Sequence, residues 1–422
     1  MHARGPARRR GVLSWAPVPD AGSPPPRRRR RRRWLRALGV VFGLLLLLCL
    51  GLLADAWTAL GVQAEGARLA RIEASPQWRD GRFRPPLPKT QGSMWAILRE
   101  ALSGDQIRAP QAPGDIPRIT PDPAALASPP TSGLRLTWLG HSSFLVDIDG
   151  VRVLTDPVWG ERASPLSLLG PARFYPPLIP LAELPPIDAV VISHDHYDHL
   201  DEPTIRALAG TTRFVVPLGI GADLEYWGVP ADDIVELDWW ERQAVGAGAA
   251  VELVATPARH FSGRGLTDAD QTLCSGWALV GAEHRVFYSG DTAMFPGFAE
   301  IGARLGPFDA TLVESGAYSG LWVDVHLGPE QAVAAHVAAR GELLIPVHWG
   351  TFNLASHAWT EPAERIIVAA ERAGVSLAIP RPGESVEPAT PPPLERWWPE
   401  IPWKTAEEAP VVSSGLAAPR PR

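Results

Sequence analysis

A short run of histidine and aspartate residues is the clearest sign of a functional site in the sequence. An apolar segment, residues 189–193, is followed at once by His194, Asp195, His196, Tyr197, Asp198 and His199. So many titratable side chains on one loop are costly to fold unless the loop binds a ligand. Imidazole and carboxylate groups without a thiol suit zinc, with iron and manganese as competitors. Alternation turns the first two imidazoles the same way, and the following turn returns Asp198 and His199, so the run predicts a metal site and allows two adjacent ions.

Three further metal-binding residues are predicted at the ends of other apolar segments. His260 follows residues 251–255, Asp291 ends residues 287–291, and His348 ends residues 344–348. A layered α/β fold in which each strand delivers a ligand at one edge would bring them to a single site. The complete set of predicted ligands is His194, His196, Asp198, His199, His260, Asp291 and His348.

The elements that must position these residues are short. Between residue 134 and about residue 378, apolar segments alternate with glycine, proline and aspartate. They predict strands at residues 134–138, 143–148, 151–155, 189–193, 213–216, 251–255, 277–280, 285–289, 310–313 and 342–347. Helices are predicted at residues 203–208, 296–304, 329–340 and 362–373, each beginning with proline, which suits a first helical turn. Strand pairs followed by helices, and then a second similar half, indicate a two-sheet sandwich with helices on its outer faces.

These motifs resemble those of metallohydrolases with the metallo-β-lactamase fold. Residues 194–199 have the H-x-H-x-D-H pattern of that superfamily, and the later histidines and aspartate agree with it. Within the superfamily, the sequence is more similar to the N-acylphosphatidylethanolamine-hydrolysing phospholipase D group. The more specific similarities are residues 236–240 (Glu-Leu-Asp-Trp-Trp) and 348–352 (His-Trp-Gly-Thr-Phe). The resemblance covers roughly residues 75–375.

The resemblance implies an α/β fold, an αββα sandwich of two mixed β-sheets with helices on the outer faces. It also implies two Zn²⁺ ions, with iron or manganese as alternatives. His194, His196 and His260 would hold the first ion, Asp198, His199 and His348 the second, and Asp291 would bridge them. A hydroxide between the metals is the implied nucleophile. The expected catalytic residues are Asp291 and His326, the latter matching a histidine that lines the substrate site of this group.

The function implied by the resemblance is that of a phospholipase D-type phosphodiesterase acting on N-acylphosphatidylethanolamine-like phospholipids. The alternative is a hydrolase of the same fold acting on a lactone or a soluble phosphodiester, because identical ligands serve all of these reactions. A non-catalytic, membrane-tethered scaffold is disfavoured because all seven ligands are retained. The sequence departs from the phospholipase pattern at residues 314–320, where a more apolar start and a Glu-Pro pair after the tyrosine are expected. This loop should border the substrate entrance, so the identity of the lipid stays open.

The N-terminal region predicts a membrane anchor. Residues 37–54 contain no charged side chain and are flanked by Trp34 and Trp57, while residues 1–36 contain twelve arginines and one acidic residue. A helix of ~20 apolar residues crosses a bilayer, and the arginines place the N-terminus in the cytoplasm. We expect a single-pass protein of the cell membrane whose catalytic domain is extracytoplasmic. The alternative is export after signal cleavage at residues 54–56, with a twin-arginine-like match at residues 31–36.

The expected organisation has five parts: an Arg-rich cytoplasmic segment (1–36), a transmembrane helix or signal segment (37–57), a Pro-rich lead-in (58–130), a catalytic domain (131–380) and a Pro-rich tail (381–422). Short helices are expected in the lead-in at residues 59–71 and 94–102, and the tail is expected to wrap the surface or fray. Residues 37–422 contain 28 basic and 45 acidic residues, so this part is a poor candidate for binding nucleic acid. Two cysteines exclude a disulfide framework and a Cys-rich zinc module. The expected partners are a phospholipid or other phosphodiester substrate and the membrane, and a homodimer is allowed.

Several other residues are predicted to have supporting roles. His141, Asp156 and Asp195 are expected to lie behind the metal ligands and orient them or shape their loops. Trp239 and Trp240 are expected in the core. Three arginines could contact a substrate phosphate, namely Arg173, Arg259 and Arg264.

Overall fold

The computed structural model describes residues 27–90, 92–112 and 114–414, together with the single residues 1, 2, 5, 11, 16 and 416. Much of the predicted Arg-rich segment (1–36) and the end of the predicted tail (381–422) therefore lie outside the described residues. The chain divides into two compact units, residues 1–54 and residues 55–422. The two units are described separately below.

The N-terminal unit contains most of one long helix, α1, Arg27–Ala56. Its segment Arg33–Ala56 has a mean hydropathy of 2.8 over its most apolar part, and its leucines are exposed to solvent. This segment is a candidate membrane span by its length and composition alone.

The second unit is built from short strands and helices. Its helices are α2 Gly66–Glu73, α3 Met94–Ser103, α4 Pro123–Ala127, α5 Glu202–Leu208, α6 Ile220–Tyr226, α7 Gly297–Leu305, α8 Pro329–Ala339 and α9 Glu361–Ala373. Its strands are β1 Trp78–Arg79, β2 Arg82–Phe83, β3 Leu134–Gly140, β4 Ser143–Ile148, β5 Val151–Thr155, β6 Ala189–Val191, β7 Arg213–Pro217, β8 Ile234–Leu237, β9 Arg242–Val245, β10 Val251–Pro257, β11 Ser275–Val280, β12 Arg285–Tyr288, β13 Phe308–Glu314, β14 Gly341–Val347, β15 Ser376–Leu377 and β16 Ser385–Val386.

The strands form two mixed sheets. The first has the order β16-β3-β4-β5-β6-β7-β8, and the second the order β15-β14-β13-β12-β11-β10-β9. In the first sheet β5, β6, β7 and β8 are parallel, with Val153 opposite Ala189. In the second sheet β10 is antiparallel to β11 and β11 to β12, whereas β12, β13 and β14 are parallel. As a result β10, β12, β13 and β14 all run in one direction and end at the same edge of the sheet.

Side-chain alternation along β4 shows how the layers pack. Phe144, Val146 and Ile148 join the large core cluster that also contains residues of the second sheet, whereas Leu145 joins a separate cluster. That second cluster includes Ile205 of α5 and further residues of α6. Because successive side chains of a strand point to opposite faces, the first sheet is buried on both sides. On the second sheet α8 packs on β13 and β14. The molecule is thus the expected sandwich of two mixed sheets covered by helices.

The predicted strands and the four predicted helices are all present, but some elements were not predicted. These are β8, β9, α4, α6 and the short strands β1, β2, β15 and β16. The helix expected near residues 59–71 begins only at Gly66. The chain beyond residue 380, predicted to wrap the surface or fray, contributes β16, which pairs with β3 through Val386 and Leu136. The backbone of Trp138 donates to the Glu384 carbonyl, which holds this strand at the sheet edge.

Close packing of α7 on α8 requires a glycine at residue 302. A Cβ atom there would lie 2.5 Å from the Ala338 carbonyl oxygen and 2.8 Å from that of Ala339. We predict that Gly302→Ala lowers the free energy of unfolding by about 1–3 kcal/mol, because the two helices must move apart. Urea denaturation followed by circular dichroism measures this. Ala303→Ser on the exposed face of α7 is the control, and equal stabilities of the two variants would contradict the prediction.

Candidate metal centre

The seven predicted ligands lie together at one edge of the sandwich. His194, His196, Asp198 and His199 follow β6, while the other three follow strands of the second sheet that run in one direction. His260 comes after β10, Asp291 after β12 and His348 directly after β14. The parallel direction of β10, β12 and β14 is what delivers these three side chains to a common point. The structure therefore brings the whole predicted set together, and their roles as ligands stay a prediction.

The first half of the centre is formed by three imidazoles. His196 Nδ1 lies 2.9 Å from His194 Nε2 and 3.3 Å from His260 Nε2. Asp291 Oδ2 lies 3.8 Å from the Nε2 atoms of both His194 and His260. The ligand atoms of these four residues are all within 4.8 Å of one another. Three nitrogens and one carboxylate oxygen converging in this way suit a tetrahedral zinc site.

The second half is formed around Asp198. Its Oδ2 atom lies 3.2 Å from His348 Nε2 and 3.4 Å from His199 Nε2. Asp291 also reaches this half, since Oδ2 is 3.0 Å from His348 Nε2 and Oδ1 is 3.2 Å from His199 Nε2. Asp291 is thus the one carboxylate among the seven that contacts both halves, which is the geometry expected of a bridging ligand.

Hydrogen bonds on the far side of three rings orient their imidazoles. His260 Nδ1 donates to the Val325 carbonyl at 2.8 Å, and His199 Nδ1 lies 2.6 Å from Asp156 Oδ2. His194 Nδ1 lies 2.9 Å from the hydroxyl of Ser193. In each case the Nδ1 atom is occupied and Nε2 is left for the centre, which is the arrangement that fixes metal-binding tautomers. Asp156 therefore lies behind the ligands, as expected.

The loop around the ligands is held by Asp195 and by strained backbone. Asp195 accepts hydrogen bonds from Gly263 N and Thr272 Oγ1, both at 2.8 Å, so it supports the loop instead of entering the centre. His348 has a φ of 67° and His141 a φ of 53°, both in the left-handed region that non-glycine residues rarely adopt. Such strain persists only where the surrounding structure imposes it, and it is common at functional sites.

The electrostatics differ between the two halves. Burial lowers the pKa of His194 and of His260 well below its usual value, so these rings are neutral. Burial opposes the charged form of His348 as well, but Asp291 and Asp198 outweigh it and raise the pKa of His348 to about 10. Burial would raise the pKa of Asp291, yet His199 and His348 hold it well below the usual range. Buried carboxylates and protonated imidazoles thus compensate each other around Asp291.

The donor set fits metal ions. Among the described residues, His199 Nε2 and Asp291 Oδ1 are buried and form no hydrogen bond. Two such atoms 3.2 Å apart are rarely left unpartnered in a folded protein. A cation bound between them would satisfy both. Nitrogen and carboxylate donors without thiolate suit zinc, iron or manganese.

Two residues near the centre have more contacts than the sequence indicated. His141 Nε2 lies 2.9 Å from Asp198 Oδ2, and its ligand atoms join those of Asp198, His199 and His348 within 4.8 Å. It is close enough to orient Asp198, as expected, or to act as a ligand.

Glu314 was not predicted as a site residue. Its carboxylate is buried at the end of β13 and lies 2.7 Å from His326 Nδ1. The signal was the departure from the phospholipase pattern at residue 314.

A cleft of about 320 Å³ opens beside the centre. His196, Asp198, Asp291 and His348 line its base together with His326, and its walls are mainly apolar. The apolar residues come from separate elements and are Ile97, Phe261, Ala317, Trp322, Val325 and Leu354. The sequence-predicted His326 therefore lies at the metal-facing end of an apolar cleft.

The three arginines considered for phosphate binding are used elsewhere. Arg259 forms an ion pair with Asp324 at 3.0 Å, and Arg264 Nη1 donates to the carbonyls of Asp195 and Leu200. Arg173 Nη1 donates to the Val158 carbonyl. Among the described residues that line the cleft, none is an arginine. These guanidinium groups bind acceptors inside the protein and do not line the cleft, so the geometry gives no support to a phosphate contact by any of them.

Comparison with known proteins agrees with this geometry. Residues 151–349 match the profile of the beta-lactamase superfamily domain. The chain is 47% identical over 353 residues to an uncharacterized protein of Mycobacterium tuberculosis, covering 81% of this chain and 91% of the relative. It is 39% identical over 246 residues to N-acyl-phosphatidylethanolamine-hydrolyzing phospholipase D 1 of Caenorhabditis elegans, covering 56% of this chain and 69% of that protein. A UPF0173 metal-dependent hydrolase of Pyrobaculum aerophilum is 28% identical over 221 residues, covering 52% of this chain and 86% of that protein.

The chain belongs to the beta-lactamase superfamily of metallohydrolases and has the metallo-β-lactamase fold. It is a metal-dependent hydrolase. Within the superfamily, its homologues include the N-acyl-phosphatidylethanolamine-hydrolysing phospholipase D proteins, so the resemblance stated from its motifs is confirmed.

The raised pKa of His348 makes metal binding depend on pH. At a pH below this pKa of about 10, the metal-free ring carries a proton that it must lose before Nε2 binds a cation. We predict that metal affinity falls as the pH falls, by up to about tenfold per pH unit for each proton displaced. The half that contains His348 should release its ion before the half that contains the neutral His194 and His260. Chelator competition with metal analysis between pH 5 and pH 8 measures both.

The control for this experiment is His336, a buried histidine that bonds Thr311 Oγ1 away from the centre. His348→Gln should bind one ion fewer and show a weaker pH dependence, whereas His336→Gln should behave like the unmodified protein. Equal pH dependence of both bound ions would contradict the assignment.

Proposed function

We propose that this chain is a membrane-anchored, binuclear phosphodiesterase of the phospholipase D type that cleaves N-acylphosphatidylethanolamine-like phospholipids. The observation that carries the proposal is a cluster of seven nitrogen and oxygen donors, four of which line the base of an apolar cleft, in a homologue of an enzyme with that activity. Zinc is the proposed metal, because its borderline character suits a set of imidazoles and carboxylates.

Each predicted ligand has a proposed place in this site. His194, His196 and His260 would hold one cation, Asp198, His199 and His348 the other, and Asp291 would contact both. When bound, two cations supply an activated water and stabilise the charge that builds on a phosphoryl oxygen. Asp156 and the Val325 carbonyl keep His199 and His260 in the orientation required, because they occupy the Nδ1 atoms. His326 extends this polar base into the cleft and is proposed to contact the substrate.

The cleft walls favour a lipid over a small polar substrate. Ile97, Phe261, Trp322 and Leu354 present apolar surface next to the ligand cluster. A phosphodiester placed at the ligands would have its apolar substituents along these side chains, where burial of apolar surface is favourable. Hydrolysis of a lactone or a soluble phosphodiester is the alternative, because the same ligands serve these reactions.

The candidate span Arg33–Ala56 supports anchoring in the membrane. The twelve arginines of residues 1–36, which lie before this span or in its first four residues, favour a cytoplasmic N-terminus and a catalytic unit on the extracytoplasmic face. An anchor raises the local concentration of a lipid substrate around the catalytic unit. Release after signal cleavage is the alternative that the same segment allows.

Substrate identity is tested with the full chain in detergent, after metal analysis. N-Acylphosphatidylethanolamine and bis(p-nitrophenyl) phosphate are supplied in parallel, and products are resolved by mass spectrometry. We predict release of N-acylethanolamine and phosphatidic acid, and a decrease of about 10³-fold or more in Asp291→Asn, because the carboxylate shared by both halves is lost. Asp309→Asn, at an aspartate outside the cleft, is the control. Activity on bis(p-nitrophenyl) phosphate alone would contradict the proposed lipid substrate but would still agree with a metal-dependent hydrolase.

Anchoring is tested by placing charges in the span. Leu45→Arg combined with Leu47→Arg puts two arginines into the most apolar part of α1, at a cost of about 2.5–3.5 kcal/mol each at a helix centre. We predict that the unmodified chain sediments with membranes and resists carbonate extraction, whereas the double variant does not. Leu266→Arg combined with Leu394→Arg, at exposed leucines outside the span, is the matched control. An unmodified chain that lacks its first residues and is soluble would favour signal cleavage.

A further inference from the structure

Glu314 is a buried carboxyl group beside the metal centre that no predicted role explains. It ends β13, and its side chain has no exposed surface. A buried carboxyl group needs hydrogen-bond partners, because burial without them is costly. The hydrogen-bond partners of the Glu314 carboxyl group therefore indicate its role.

The two oxygens of Glu314 have different partners. Oε1 accepts hydrogen bonds from the backbone amides of Thr292, at 2.5 Å, and Leu327, at 3.2 Å. Oε2 lies 2.7 Å from His326 Nδ1. Thr292 directly follows the bridging Asp291, and Leu327 directly follows His326. One carboxyl group thus ties the Asp291 loop to the loop that carries His326.

This contact determines which edge of the His326 ring faces the cleft. Because Nδ1 is bonded to Glu314, Nε2 is the ring nitrogen left for the cleft that the ring lines. The ring lies between two metal-centre histidines, with centroids 5.1 Å from that of His260 and 5.2 Å from that of His348. His326 Nδ1 is 3.7 Å from Asp291 Oδ2. A rotation of the ring would therefore change the positions of both ring nitrogens relative to Asp291 and the cleft.

We propose that Glu314 is a positioning residue for the hydrolytic reaction: it holds His326 so that Nε2 meets the phosphoryl end of the substrate beside Asp291. Glu314 itself does not touch the substrate, since its carboxyl group is enclosed by Thr292, Leu327 and His326. The contact between His326 and the substrate rests on the proposed function. The orientation of the ring by Glu314 depends only on the structure of the site.

A double-mutant cycle on the full-length, metal-loaded protein separates positioning from a structural role. The variants are Glu314→Ala, His326→Ala and the combination, and the substrate is whichever of the lipid or bis(p-nitrophenyl) phosphate the unmodified protein hydrolyses. We expect Glu314→Ala to lower kcat about 10- to 100-fold in the presence of His326, the range found for residues that orient a reacting group. With His326 already replaced, the same substitution should change kcat less than about twofold, because the positioned ring is gone.

The KM value, the metal content and a control variant complete the cycle. KM and the number of bound ions should stay within about twofold of the unmodified protein in Glu314→Ala. Glu361→Ala removes another buried glutamate, one that accepts from the Tyr318 hydroxyl, and should lower stability with the same effect on kcat in either background. A loss of kcat in Glu314→Ala that is equally large with and without His326 would overturn the proposal.

Two further measurements keep the test decisive. If Glu314→Ala does not fold, the cycle is repeated with Glu314→Asp, which keeps the carboxyl group but withdraws it from His326, and the same coupling is expected. A crystal structure of the metal-loaded variant gives a result independent of activity. A His326 ring turned from its place in the cleft supports the proposal, and a ring in the same orientation without Glu314 overturns it. Failure of the lipid assay alone would affect the substrate assignment and leave this result standing.

Discussion

The burial of the Asp291 carboxylate is the constraint on which the site depends. Its oxygens face four imidazoles, at 3.0 and 3.2 Å for His348 and His199 and at 3.8 Å for His194 and His260. An unpaired anion so deeply buried would be neutralised or excluded from the fold. Three of these imidazoles, those of His194, His199 and His260, have a hydrogen-bond partner on the far side, so the constraint spreads outward to Ser193, Asp156 and the Val325 carbonyl. The polar groups of the centre therefore form one connected network.

The two sheets meet this constraint through strand direction. β10, β12, β13 and β14 run the same way, so the residues that follow them share one edge, and β6 supplies the loop from the opposite sheet. The strands are buried on both faces and packed closely, which allows them to hold strained positions such as His348, with a φ of 67°, directly after their ends. Because the strands are packed rigidly in the apolar core, the short polar loops that follow them hold the donor side chains in fixed positions.

The sequence predicted the elements that have a strong apolar signal and missed those that do not. β10 and β14 are largely apolar segments, as is typical of strands that are buried on both faces. β9 contains Arg242 and Gln243 at a sheet edge, and β16 follows a Pro-rich stretch, so neither shows such a pattern. The seven donors were predicted from residue type and spacing. Glu314 was not, because its meaning depends on a contact with His326, and that contact exists only after β13 and the loop before α8 are packed together.

Substrate choice and metal binding are carried by different parts of the molecule. The donors follow the strands, whereas the cleft walls come from α3 (Ile97) and from the loops that contain Phe261, Trp322 and Leu354. Loops of this kind tolerate change, so a fold with the same donors accepts different substrates when its walls differ. Glu314 lies where the two parts meet, since it bonds the amide beside Asp291 and the ring of His326. A substitution in the walls would alter the substrate alone, whereas one at Glu314 would alter how any substrate meets the centre.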